Sequence, residues 1–140
     1  MPVLRALFLS TALISVALAQ PATAPYGRAA QAALEHAGVW EKARAKLVFG
    51  DSLTQTVQFV ETGAADLGLV ALSAVKSPRL AGRGTWRELS PEEHTGVSLD
   101  HAVVLTTRGA TNPAARRYLD FLASDAARKI LLAAGYATPP

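Results

Sequence analysis

Apolar positions along this chain fall into two alternating patterns. Short unbroken runs, Leu47-Val48-Phe49 and Leu67-Gly68-Leu69-Val70-Ala71-Leu72, stand between longer stretches where apolar residues recur every three or four positions. A run too short for a helix and apolar on both faces reads as a strand buried in a parallel sheet. His101-Ala102-Val103-Val104-Leu105-Thr106 gives the same reading, closed by Arg108-Gly109. A further short strand is expected around Trp86 in the connecting stretch Ser77–Ser90, which carries Pro78, Gly82 and Gly84.

The helical stretches have starts and stops. Pro25 suits a first helical turn, and Tyr26, Ala30, Ala33, Leu34 and Ala37 then share one face up to Gly38. Ser52-Leu53-Thr54-Gln55 matches a capping box in which the Ser hydroxyl accepts from a first-turn amide and the Gln reaches back. That helix runs through Val57 and Val60 to about Thr62, and Gly63 ends it. Asn112-Pro113 opens a third helix through Tyr118, Leu119 and Leu122; Ser124 caps a fourth over Asp125–Ala134, which stops at Gly135. Strands alternating with helices of these lengths predict an α/β fold with a mostly parallel sheet and flanking helices.

Two readings compete for the N-terminal residues. Met1–Arg5 followed by Ala6–Ala19 has the basic start, apolar stretch and Ala17-Leu18-Ala19 ending of a secretory signal peptide. The apolar stretch falls short of the roughly 20 residues a spanning helix needs. Alternatively, Ile14-Ser15-Val16-Ala17-Leu18-Ala19 is a buried strand ending at the Gln20-Pro21 turn, and composition does not separate the two.

The 140 residues suit one domain, and 50% hydrophobic with 18% charged residues excludes a disordered or fibrous chain. Without cysteine there are no disulfides, thiol nucleophiles or Cys-based metal sites. The formal charge of +3 is spread thinly: Arg79, Arg83 and Arg87 form the densest group and Arg116-Arg117 the adjacent pair. That dispersion speaks against nucleic-acid binding. His36, His94 and His101 lack the spacing of a helical zinc site. Glu92-Glu93 follows Ser90-Pro91 and reads as a solvated turn, and Asp51 as a turn or cap residue. No nucleophile elbow, phosphate-binding loop or dinucleotide fingerprint occurs, so the chain does not read as an enzyme.

What remains is a repeated junction. Val16–Ala19 leads into Pro25-Tyr26-Gly27, and Leu47–Phe49 into Ser52-Leu53-Thr54. In a parallel sheet both helices begin at the C-terminal edge of the strands, where ligands bind α/β proteins. Their unpaired amides and positive dipole ends attract anions without a formal cation. Gly27 is expected to let an anion approach the backbone, with Tyr26 walling the pocket.

Gln20-Pro21-Ala22-Thr23-Ala24-Pro25-Tyr26-Gly27-Arg28-Ala29 closely resembles the Asn/Asp-Pro-x-x-Ala-Pro-Tyr-Gly-x-Ala stretch of periplasmic molybdate-binding proteins of ABC transporters. Gly38-Val39-Trp40, Lys46–Ser52 and the block Gln58–Ser73 follow in the order that family has, and Asn112–Ala115 and Gly135-Tyr136 resemble its C-terminal helices. The resemblance implies a type II periplasmic binding protein whose two α/β lobes close on a tetrahedral oxyanion held by neutral donors. By position these donors include Tyr26 and Leu53, the latter through its amide. Leu stands where the family often has Val or Ile. Molybdate or tungstate would be held as the whole oxyanion, with no direct metal ligand and no cofactor. The implied partner is the membrane permease of the transporter, and the implied location the periplasm if residues 1–19 act as a signal.

The resemblance covers the second half of the family fold. Most of one ligand-binding lobe is expected at about residues 14–75, a crossover loop at 76–96, and the returning part of the other lobe at 97–140. Nothing in Met1–Ala19 corresponds to the family's opening Ser-rich turns, which form the opposite wall of the site. This truncated form is expected to bind the oxyanion more weakly, or to survive as a non-binding fragment, and to self-associate through surface meant for the missing strands. The effector-sensing half of a transcription regulator shares this lobe type, but no helix-turn-helix is present.

Overall fold

The computed structural model describes residues 14–138. Three strands, β1 (Val16–Ala19), β2 (Leu47–Gly50) and β3 (Leu67–Leu69), form a parallel sheet in the order β2-β1-β3. In register, Ala19 lies opposite Gly50 and Leu18 opposite Leu69. Both crossovers are helical, as parallel neighbours require. The first contains α1 (Pro25–His36) and α2 (Trp40–Ala43), with a 3₁₀ turn at Arg44–Lys46; the second adds α3 (Leu53–Glu61).

β1 is the central strand, and Val16, Ala17, Leu18 and Ala19 are all buried. Of the two readings of the N-terminus, the strand is thus what residues 16–19 adopt. A cut after Ala19 would remove the strand on which both others are paired. The basic start and most of the apolar stretch of the signal reading lie outside the described residues.

The core forms where α1 meets β1. Ala29, Ala30, Ala33 and Leu34 are the buried stripe of α1, and Leu34 joins Val16, Ala37, Val39 and Ala43 in one cluster. Trp40, Leu47, Leu67, Leu69 and Leu89 pack around it. Full burial of Leu18 or Leu34 contributes on the order of 1.5–3 kcal/mol each. Gly38 and Gly63 follow their helices at φ 69° and 75°, the left-handed conformation that ends a helix cheaply only at glycine.

A polar clamp fixes the start of β3 against β1. The Ser15 amide and hydroxyl both donate to Asp66 Oδ2 at 2.8 Å, and the Asp66 and Leu67 amides donate to the Ser15 carbonyl. These donors, the Ser15 amide foremost, hold the Asp66 carboxyl below its ordinary pKa.

Beyond β3 the chain carries α4 (Leu72–Val75), a 3₁₀ turn at Pro91–His94, α5 (Thr107–Ala110), α6 (Pro113–Leu122) and α7 (Asp125–Ala133). Asn112, Ser124 and Thr106 cap α6, α7 and α5, their side chains accepting from Ala114, Ala127 and Gly109 amides. Among the described residues no helix is long and apolar enough to cross a membrane.

Several expectations need correction. The run Leu67–Leu72 is a strand only to Leu69, because Leu72 already opens α4. His101–Thr106 is extended chain outside any sheet, with Val103 57% and Val104 79% exposed; its apolar side chains meet no neighbouring strand. No strand forms around Trp86, which is exposed in irregular chain. The Glu92-Glu93 turn is more ordered than a solvated one: Glu93 bonds both guanidinium nitrogens of Arg87 and the Ser90 amide, closing a capping box. Its carboxyl is held below the usual range mainly by Arg87.

Candidate functional site

Two helices begin at one edge of the sheet, and local chemistry leaves their first amides open. At the end of β1 the Gln20 amide donates to the Gly50 carbonyl at 2.9 Å, tying the exits of β1 and β2 together. The chain then turns through Pro21–Thr23, with the Thr23 and Ala24 amides donating back to the Gln20 carbonyl. α1 starts with Pro25, which has no amide hydrogen, and its cap residue Ala24 offers no side-chain acceptor. The Tyr26 and Gly27 amides, second and third in the helix, therefore have no partner among the described residues.

The second junction is built differently and ends alike. Ser52 Oγ accepts from the Gln55 amide at 3.2 Å, while Gln55 Oε1 accepts from the Asp51 amide at 2.7 Å. The reciprocal bond of the expected capping box is thus displaced one residue outward, from Ser52 to Asp51. The Leu53 and Thr54 amides have no partner among the described residues. Neither α1 nor α3 carries an acidic residue in its first turn, whereas α7 has Asp125 there. The first turns of α1 and α3 thus supply no negative charge to their dipole ends.

Two glycines let the helices approach the strand ends this closely. A Cβ on Gly27 would stand 2.3 Å from the Ala19 carbonyl oxygen and 2.8 Å from Pro21 N. Gly27 therefore serves the packing of α1 onto β1 and its exit turn, which corrects the expectation that it clears space for a ligand. A Cβ on Gly50 would stand 2.6 Å from Thr56 Oγ1, the buried hydroxyl that donates to the Ser52 carbonyl.

Tyr26 is half-buried, and burial, helped by the neighbouring Tyr136, raises its phenol pKa. The hydroxyl stays protonated and can donate throughout the neutral range. Leu53 is half-buried as the first residue of α3. The structure thus puts Tyr26 and Leu53 at the starts of helices leaving adjacent, in-register strands. Gly135-Tyr136 entered the sequence analysis only through its resemblance to the family's C-terminal helices; no local pattern relates Tyr136 to Tyr26. His36, His94 and His101 form no cluster with carboxylates, and no group of three metal-ligating side chains occurs among the described residues.

Comparison with known proteins gives consistent matches. The family described as bacterial extracellular solute-binding protein matches residues 5–137. The molybdate-binding protein ModA of Azotobacter vinelandii is 40% identical over 122 residues, 86% of this chain and 47% of its own length. ModA of Rhodobacter capsulatus is 40% identical over 130 residues, 93% of this chain and 50% of its own length. The solved Azotobacter vinelandii periplasmic molybdate-binding protein superposes with a TM-score of 0.78 at 27% identity, covering 95% of this chain and 58% of that one. The chain spans about half the length of the curated relatives it matches.

Proposed function

The chain belongs to the bacterial extracellular solute-binding proteins, and on that footing we propose that it forms the helix-N-terminus wall of a molybdate or tungstate site in an ABC uptake receptor. The observation that carries the reading is the Gln20–Gly50 bond, which ties together two strand exits whose helices begin with open amides. Tyr26 and Leu53 then act on the ligand as neutral donors, Leu53 through its amide and Tyr26 through amide or hydroxyl. A dianion without protons accepts from such donors and would be repelled by carboxylates, which the first turns of both helices lack. Relatives named for molybdate binding supply the ligand class.

As in any ABC importer, the receptor would deliver the oxyanion to a membrane permease from outside the cytoplasmic membrane. No catalytic step enters this function. The 14–75 segment supplies the donors, 76–96 the crossover, and 97–140 part of a second wall. Calorimetric titration with molybdate and tungstate tests the reading. Saturable heats on the full chain are expected, weaker than a complete donor shell allows, since each hydrogen bond to a charged group contributes about 1.5–3 kcal/mol. Absence of binding at millimolar oxyanion, or an equal response to chloride, would contradict it.

A second reading is favoured by one observation: Val103, Val104, Tyr118, Phe121, Ile130 and Leu132 are large apolar residues left exposed. Exposed apolar side chains favour association, so the chain also self-associates through its C-terminal segment. Sedimentation velocity should show mass rising with concentration; a concentration-independent monomer would exclude it.

A further inference from the structure

The turn that follows α7 is held firmly, by its own backbone bonds and by contact with α4. α7 closes in a Schellman motif: the Gly135 amide donates to Leu132 and the Tyr136 amide to Leu131, at 3.0 and 2.9 Å, with Gly135 at φ 90°. The backbone of Gly135 lies against α4, where a Cβ would stand 3.0 Å from Leu72 Cγ and 3.1 Å from Lys76 Cδ. α4 follows β3 at the same sheet edge from which α1 and α3 depart. Tyr136 is therefore fixed at the ligand edge by backbone geometry.

Its ring is also oriented. The His101 imidazole meets it edge to face, with centroids 6.1 Å apart and planes at 86°. Tyr136 remains 39% exposed and lines an open groove with Ser73, Lys76 and Ser77, so the phenol is not packed away. Lys76 adds positive charge on that side. The electrostatic influence of Tyr136 on Tyr26 agrees with the two phenols sharing one neighbourhood.

We propose that Tyr136, steered by His101, is an anion-binding residue of this site, its hydroxyl donating to a tetrahedral oxyanion seated at the open amides of α1 and α3. The inference rests on the oxyanion reading and deepens it by adding a donor from the C-terminal segment. His101 is a positioning residue that holds the ring without touching the ligand.

The test is calorimetry with sodium molybdate on the full chain and three variants. Tyr136→Phe removes one hydroxyl from a partly exposed ring, so it folds as the parent does, and is expected to weaken binding roughly tenfold, the loss of one hydrogen bond to a charged acceptor. His101→Ala is expected to lose several-fold, and His101→Phe, which restores an edge contact, to recover most of it. Unchanged affinity in Tyr136→Phe, with the parent chain binding, overturns this inference and leaves the oxyanion reading standing. A parent chain that fails to bind molybdate removes both. Recovery absent in His101→Phe overturns the positioning role.

Discussion

Between Val16 and Ala71 lie nearly all the buried apolar side chains among the described residues, with Val16, Leu34, Ala37, Val39 and Ala43 packed in one cluster. From residue 97 onward Ala127 is the one buried hydrophobic residue among those described, while Tyr118 and Ile130 are 61% and 60% exposed. Yet the helices of both regions are equally well formed, with caps at Ser52, Asn112 and Ser124. Local signals thus suffice to start and stop a helix, but only the sheet gives its apolar face somewhere to go. The region with a core is also the one that carries the open first amides of α1 and α3.

The hardest blow to this contrast is removal of Met1–Ala19. Without the central strand the sheet region is expected to lose its cooperative thermal transition, followed by circular dichroism; native-like melting of the shortened chain would show that β1 is dispensable. Next in size is a paired truncation. Leu34→Ala, in the core, should cost about 2–5 kcal/mol in urea unfolding. Ile130→Ala, on the exposed face of α7, should change stability by less than about 0.5 kcal/mol. Equal losses would mean that the C-terminal helices are packed as tightly as the sheet.

Gly27→Ala links packing to the site. Its Cβ meets backbone rather than a movable side chain, so α1 must shift, at an expected cost of about 1–3 kcal/mol. The smallest effect concerns the Ser15–Asp66 clamp. Because Asp66 is held below its unfolded pKa of about 3.9, its contribution is present above that value and lost as pH falls through the folded one. Asp66→Asn should therefore flatten the acid limb of stability measured by urea midpoints below about pH 4; an unchanged limb would show that the clamp carries no linkage.

Much of this was legible beforehand. β2, α1, α3, α6 and α7 follow from apolar runs, caps and terminal glycines within a few residues, and the repeated strand-to-helix junction places Tyr26 and Leu53 at helix starts, while their role as donors is what the family resemblance implies. The failures have physical causes. His101–Thr106 has the composition of a buried strand, but strand formation needs a neighbour to pair with, and composition does not supply one. At Val16–Ala19 a buried central strand and an export signal are written in the same apolar residues, so only placement in the sheet separates them. Tyr136 and His101 were illegible as site residues because ring contact and chain reversal at Gly135 relate positions that no local spacing connects.

If the open amides beginning α1 and α3 bind one doubly charged oxyanion, they must respond to it together. Amide NMR of the full chain, titrated with molybdate, reads those groups individually. The Tyr26, Gly27, Leu53 and Thr54 resonances are expected to move together along one saturating curve, while the capped amides of α6 and α7 stay in place. Shifts confined to arginine and lysine neighbourhoods, with these four amides unmoved, would contradict it.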